Sequence, residues 1–170
     1  TTKEFFDEIY LKLLDENKNI HFMLVGSGDL RVKFENKLKD CQNVTFLERI
    51  AQNEVKYFLQ KCDILYLSTK DSKVWEYGQS MNKVVEYMVA GKPIIASYTG
   101  YPSMINEANC GVFVNSSNPM DLKETILNIA NKNVQDIKQL EEKGKKWIYE
   151  NRQYSRLAKE YINKIEEFRR

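Results

Sequence analysis

The sequence predicts a doubly wound, mostly parallel α/β sheet with helices on both faces, followed by a wholly helical tail. Three observations lead there. Short apolar runs of strand length alternate with segments of helical period along residues 1–131, and parallel strands need such crossover helices between them. The runs are apolar on both faces of the pleat, as in strands covered from two sides. Neither Asn-Gly nor Asp-Gly, the dipeptides that close tight hairpins, occurs in the 170 residues.

Residues 3–16 come first. Phe5, Phe6, Ile9, Tyr10, Leu13 and Leu14 recur with the period of an amphipathic helix, and Asn17-Lys18-Asn19 breaks it. Ile20–Val25 is a nearly continuous apolar run ending in Gly26-Ser27-Gly28, a buried parallel strand entering a turn. The alternation then repeats: helix 30–39 and strand 43–47, helix 52–61 and strand 63–68, helix 80–90 and strand 93–97, a helix near 102–108 and strand 111–114. From residue 118 the pattern is helical only, with Asn118 as N-cap and Pro119 at the first helical position. Three helices follow, near 119–131, 134–150 and 153–168. Gly144 interrupts the second at a cost of about 1 kcal/mol relative to Ala, which predicts a bend or fraying there. Residues 1–131 thus form the α/β domain and 132–170 a set of helices expected to pack on it. A crossover helix has a strand before it, whereas this chain opens directly on helix 3–16 and without Met. We therefore expect Thr1 to be a boundary and the intact protein to be longer at its N-terminus.

Composition narrows the classes. With 42% hydrophobic, 29% charged and 12% aromatic residues, the chain is an ordinary globular sequence, neither collagen-like, disordered nor a disulfide scaffold. Its 26 basic and 24 acidic side chains leave a net +2 and no electrostatic case for nucleic acid. Residues 132–170 carry 11 basic and 7 acidic side chains, so the basic excess sits on the tail. Cys41, Cys62 and Cys110 fit neither a disulfide framework nor a zinc pattern and imply a reducing compartment. No apolar run approaches the ~18 residues of a membrane span, and no signal-peptide pattern opens the chain. A cytoplasmic protein or domain is expected.

Ligands of open α/β sheets gather beyond the carboxyl ends of the strands, where helix N-termini present free N–H groups and the positive end of their dipole. Here those ends are Gly26–Asp29, Glu48–Ile50, Ser68–Asn82 and Ser97–Tyr101. Gly26-Ser27-Gly28 opens like a dinucleotide fingerprint, but the third glycine of G-x-G-x-x-G falls on Arg31, a side chain expected to block the close helix–strand packing that the fingerprint needs. No G-x-x-x-x-G-K-S/T phosphate loop occurs. The densest polar cluster runs from Gly78 to Pro93, a loop that opens a helix and returns to a buried strand. Ser80 is a fitting N-cap, and the N–H groups of Met81, Asn82 and Lys83, with the Lys83 ammonium, suit a diphosphate. Glu86, one turn on from Asn82, can face the same mouth and accept hydrogen bonds from vicinal hydroxyls such as those of ribose. A purely structural reading stands beside this one. In it Ser80 only caps the helix, Lys83 and Glu86 form an exposed pair worth roughly 0.3 kcal/mol, and Gly91 only ends the helix before Pro93.

The run Ser80-x-Asn82-Lys83-x-x-Glu86-Tyr87-Met88-x-Ala90-Gly91-Lys92-Pro93-Ile94-Ile95-Ala96-Ser97 resembles the nucleotide-sugar motif of group 1 glycosyltransferases, retaining enzymes of the GT-B fold. Leu24-Val25-Gly26-Ser27-Gly28, Asn43–Leu47, Cys62–Ser68 and Gly111–Val114 stand in the order and spacing of that family's Rossmann-like donor domain, so the resemblance covers about residues 1–150. It implies that Glu86 is the second acid of the family's E-x7-E pair and holds the donor ribose. The first acid of that pair falls on Gly78, with Glu76 two places earlier, and the Ser-x-Asn-Lys-x-x-Glu pattern is similar to bacterial surface-polysaccharide and lipopolysaccharide transferases that lack it. Leu47-Glu48-Arg49-Ile50 stands where the family's backbone meets the nucleotide base, and Arg49 is a second candidate for a phosphate. The family's other Arg and Lys phosphate contacts follow a strand upstream of this chain.

The function the resemblance implies is donor binding in sugar transfer: a UDP- or GDP-sugar held by Ser80, Met81, Asn82, Lys83 and Glu86, with Gly26, Arg49 and Ile50 beside it, and a sugar or lipid-linked acceptor brought by an N-terminal domain that this chain lacks. Neither a cofactor nor a metal is expected, in keeping with one His, read as a structural residue of the first strand, and no Asp-x-Asp motif. Two other classes stay open. One is a non-catalytic interaction domain of receiver-like form, for which Asp71 is the nearest phosphorylatable candidate; the other is half of a sugar-nucleotide epimerase. On the tail, Ile137, Leu140, Trp147, Ile148, Tyr154, Leu157, Tyr161, Ile162 and Ile165 form an apolar stripe. Lys143, Lys145, Lys146, Arg152 and Arg156 form either a solvated face or one that meets anionic lipid at the inner face of a membrane.

Overall fold

The structure is a computed structural model and describes residues 19–69, 81–97, 103–115 and 118–169, with Lys73 and Tyr77. The helix expected over 3–16 lies outside the described residues, as do Asp71, Glu76, Gly78, Ser80 and Tyr101. The strands are β1 Phe22–Val25, β2 Val44–Leu47, β3 Leu65–Ser68, β4 Ile94–Ser97 and β5 Gly111–Phe113. They alternate with helices α1 Arg31–Lys37, α2 Gln52–Lys61, α3 Asn82–Ala90 and α4 Met104–Ala108, and α5 Pro119–Ala130, α6 Val134–Asn151 and α7 Tyr154–Phe168 follow.

Every pairing is parallel: Phe22 stands opposite Val44, Leu65 opposite Ile94, and Ile94 opposite Gly111. The sequence predicts one sheet, yet the described ladders fall into two groups, β2-β1 and β3-β4-β5. Packing nevertheless unites them. On one face Phe22, Leu24, Val44, Phe46, Ile64 and Tyr66 join Ile95 under Phe34 of α1 and Leu122, Ile126 and Ile129 of α5. On the other, Leu67, Ile94 and Ala96 meet Val84 and Met88 of α3 and Met104 and Ile105 of α4, while Leu65 meets Leu59 of α2. All four residues of β4 are buried, as a central strand covered from both sides requires. Helices on both faces of parallel strands make this the doubly wound architecture.

Local chemistry sets the boundaries. Asn118 caps α5, its side-chain oxygen accepting from the Met120 N–H at 3.1 Å. Gly91 ends α3 in the left-handed region at φ 68°, a conformation that costs a residue bearing Cβ. His21 lies just before β1 rather than inside it, is exposed, and shares a 2.8 Å hydrogen bond with the Thr45 hydroxyl. Gly144 does not interrupt α6, which runs unbroken from Val134 to Asn151. It is buried there, because a Cβ at this position would stand 3.3 Å from Cys110 Cβ and 3.7 Å from Met88 Cα. The glycine lets α6 approach the α/β layer, where Lys92 and Glu141 also pair at 3.0 Å.

The tail divides in two. Trp147 and Ile148 of α6 pack on the core, whereas α7 buries no residue and leaves Tyr154, Tyr161, Ile162 and Phe168 exposed. Several tail cations have neighbours of their own: Lys146 meets Glu150, Arg156 meets Glu160, and Arg152 stacks 5.8 Å over the Trp147 ring. No helix among the described residues is long and apolar enough to cross a membrane.

Candidate functional site

The carboxyl end of β1 is built by Arg31. Its guanidinium donates to the Gly26 carbonyl at 2.8 Å and the Leu47 carbonyl at 3.0 Å, and it pairs with Glu35 and Glu48 at 2.7 and 2.9 Å. The sequence reads this side chain as incompatible with the close helix–strand packing of a dinucleotide fingerprint; it lies along the strand ends, 18% exposed, and fastens the ends of β1 and β2 to each other. Gly26 turns at φ 127°, where a side chain would be strained, and its N–H donates to Leu47.

At α3 the residue in N-cap geometry is Met81, extended at φ −90° and ψ 129°, so the helix opens at Asn82 and the N-cap expected at Ser80 falls one residue later. The N–H groups of Val84 and Val85 return to the Met81 carbonyl. Among the described residues, no group accepts from the N–H groups of Met81, Asn82 and Lys83. They are donors without an acceptor among the described residues, at the positive end of a nine-residue helix, the physical basis of anion binding.

Glu86, one turn further on, is half-buried and accepts from Gln52 Nε2 at 2.8 Å. The sequence offers Lys83 as its partner; among the described ion pairs the two are not joined. Gln52 opens α2 just after Arg49 and Ile50, and the packing of α2 beside α3 brings it to Glu86. No spacing in the sequence signals this residue, because the bond links two helices 34 positions apart.

Beside these residues lies a cavity of about 710 Å³. Gly26, Arg49, Ile50, Lys83 and Glu86 all line it, at the carboxyl ends of β1 and β2 and the N-terminus of α3. Met81 and Asn82 stand next to Lys83 outside the lining, and Ser80 lies outside the described residues. Tyr87, also in the lining, donates its hydroxyl to the Tyr66 carbonyl at 3.3 Å. Burial pushes its phenol up to about 12, with Cys62 and Glu86 adding in the same direction. Burial likewise raises the Cys110 thiol to about 11, and raises Cys62 with help from Asp63.

All three raised groups fold in their neutral form, so their contribution to stability is present below the unfolded values and lost as pH rises. For Cys110 the loss runs from pH 9 to about 11, and for Tyr87 from pH 10 to about 12. The Tyr87 step amounts to roughly 2–3 kcal/mol. Urea midpoints measured between pH 8 and 12 are expected to fall across this window, and the fall to be shallower above pH 10 in Tyr87→Phe. An identical profile in the variant would show that the phenol is not the titrating group.

Comparison with known proteins assigns the family. Residues 2–132 match the glycosyl transferases of group 1. The chain belongs to the group 1 glycosyltransferases. An uncharacterized glycosyltransferase of Methanocaldococcus jannaschii, MJ1178, is 33% identical to this group 1 chain over 140 residues, 79% of the chain and 38% of that protein. WaaG, a glycosyltransferase involved in lipopolysaccharide biosynthesis, aligns with a TM-score of 0.60 at 20% identity, over 83% of this chain and 38% of WaaG. The N-terminal domain of Candida albicans trehalose-6-phosphate phosphatase aligns with a TM-score of 0.62 at 14% identity, over 86% of this chain and 35% of its own. At such identities the two structures speak for the fold alone, the Rossmann-like α/β fold of GT-B glycosyltransferases. This group 1 chain spans about two fifths of the length of the relatives it matches.

Proposed function

We propose that this chain is the donor-binding part of a retaining group 1 glycosyltransferase that takes a UDP- or GDP-sugar. With polypeptide outside residues 1–170 it passes the sugar to a sugar or lipid-linked acceptor in bacterial surface-polysaccharide synthesis. One observation carries the reading: Gly26, Arg49, Ile50, Lys83 and Glu86, from three separate stretches of the chain, line one cavity beside three N–H groups with no acceptor among the described residues. The N–H groups at 81–83 and the Lys83 ammonium hold the diphosphate, and they hold it more strongly as the bond to the sugar breaks and negative charge collects on the leaving oxygen. Glu86, oriented by Gln52, takes the ribose hydroxyls through its remaining lone pairs. Arg49 and Ile50 border the base.

Calorimetric titration of the chain with UDP and with GDP tests this directly. Saturable binding of at least one is expected, without sugar release from the corresponding nucleotide sugar, since the acceptor side lies elsewhere. Absence of binding by both nucleotides at millimolar concentration would overturn the donor-site reading and leave the interaction-domain alternative.

A further inference from the structure

The ladder between β1 and β2 ends in a substitution. Phe22, opposite Val44, donates its N–H to the Asn43 carbonyl, and Gly26 donates to the Leu47 carbonyl in the same pattern. In a parallel ladder, a residue that donates to the position before its partner accepts from the position after it. Carried one step beyond the Val25–Leu47 pairing, this register sets Gly26 opposite Glu48, so the Gly26 carbonyl would next accept from the Arg49 N–H. It accepts from Arg31 instead, at 2.8 Å, through the same Nη1 atom that reaches the Leu47 carbonyl at 3.0 Å. Among the described residues nothing accepts from the Arg49 N–H. One guanidinium thus stands in for the last rung, and the chain beyond β2 leaves the sheet as the loop 48–50.

Among the described residues that line the cavity are Gly26, Arg49 and Ile50, and Arg31 is not one of them. The guanidinium stands behind the wall with its planar fork filled, by the two carbonyls, by Glu35 of α1 at 2.7 Å and by Glu48 at 2.9 Å. A lysine ammonium, a compact point charge, cannot span four such acceptors. We propose that Arg31 is a positioning residue for recognition of a nucleobase: by occupying the Gly26 carbonyl it keeps the Arg49 N–H out of the ladder and holds the 48–50 backbone against the edge of the base. This role rests on the donor-site reading and adds to it what shapes the base end of the site. A base suits the place, because its edge carries in-plane donors and acceptors that match backbone groups, while the ribose and diphosphate belong to Glu86 and the N–H groups at 81–83. The carbonyl bonds do the holding rather than Glu48, whose side chain is 81% exposed and forms the kind of surface pair that contributes little. The position that breaks the dinucleotide fingerprint is thus the one that shapes this loop.

Calorimetric titration of the intact protein with UDP, GDP and ribose 5-diphosphate, which lacks the base, tests it. The parent is expected to bind the better nucleotide about tenfold or more tightly than ribose 5-diphosphate. Arg31→Met and Arg31→Lys should each cut that preference to about threefold or less and leave the affinity for ribose 5-diphosphate within about twofold of the parent, whereas Glu48→Gln keeps the preference. A residue that serves stability alone would lower the melting temperature of the Arg31 variants without moving the ratio, and an unmoved ratio overturns the proposal. So does an equal loss with ribose 5-diphosphate, which would place the effect of Arg31 on the diphosphate. Amide exchange in the parent keeps the test independent of how well the variants fold. The Arg49 N–H should exchange fast in the free protein and about tenfold or more slowly once the nucleotide is bound, with no such slowing by ribose 5-diphosphate. Slow exchange in the free protein, or no response to the nucleotide, sinks the role of Arg31. Binding of neither UDP nor GDP removes the donor-site reading and this role together; binding without a preference for the base removes only the role of Arg31.

Discussion

Glu86→Ala is expected to weaken UDP binding by at least tenfold while leaving the fold intact. The carboxylate is half-buried at the cavity mouth, and its one described partner is Gln52 at 2.8 Å, so one oxygen and further lone pairs remain for a ligand. Hydrogen bonds to a charged group contribute about 1.5–3 kcal/mol each, and two vicinal hydroxyls supply two donors. A loss of even 1.4 kcal/mol is tenfold in affinity. The side chain belongs to neither core cluster beneath α3, so the melting temperature should barely move. The decisive control is 2′,3′-dideoxy-UDP. Its weaker binding should be insensitive to the substitution, because the hydroxyls that Glu86 would hold are gone. Gln52→Ala should cost less than Glu86→Ala, and in the double variant its effect should vanish, since Gln52 acts only by orienting the acid. Equal losses with UDP and the dideoxy nucleotide would remove the ribose role and leave the diphosphate site standing.

Most of the fold was legible because its signals are local. The apolar run of β4 and the Asn118-Pro119 start of α5 each rest on neighbouring residues, and α2 occupies 52–61 as its period predicts. What escaped depends on partners far apart in the chain. The partners of Arg31 could not be read, because nothing in the sequence says that the carbonyls of Gly26 and Leu47 converge within its reach. Gly144 reads as a helix defect until Cys110 and Met88 are seen against it. The same split holds at the site. Lys83 and Glu86 lie three positions apart on one helix and could be placed on one mouth from spacing alone, whereas Gln52 reaches Glu86 only through the packing of α2 on α3. The start of α3 moved by one residue for a related reason: the first turn is closed by the Met81 carbonyl, a backbone choice that the Ser80 side chain does not announce.

Gly111→Ala is expected to destabilise the protein by about 3 kcal/mol, the upper range for forcing extra volume into a packed core. Gly111 begins β5 opposite Ile94 of the fully buried β4. A Cβ there would stand 2.5 Å from the Ile94 carbonyl oxygen and 2.7 Å from Ile105 Cγ2. The first is backbone in the central ladder and the second belongs to a side chain that is fully buried, so neither can swing aside as an exposed side chain would. β5 must retreat from β4, which stretches the ladder that holds Val114 N–H to the Ala96 carbonyl at 2.9 Å. In a chain of this size the loss corresponds to a melting temperature lower by about 6–12 °C. Two other glycines calibrate the argument. Gly144→Ala would bring Cβ to 3.3 Å from the Cys110 side chain, a gap that a shift of a few tenths of an ångström relieves, so its cost should be smaller. Gly28→Ala meets nothing within 4 Å, and the reduced freedom of the unfolded chain should leave it neutral or slightly stabilising. Urea unfolding of the three variants should therefore rank them Gly111, Gly144, Gly28 in decreasing loss. A Gly111→Ala protein within 0.5 kcal/mol of the parent would mean that β5 does not lie against β4 in this register.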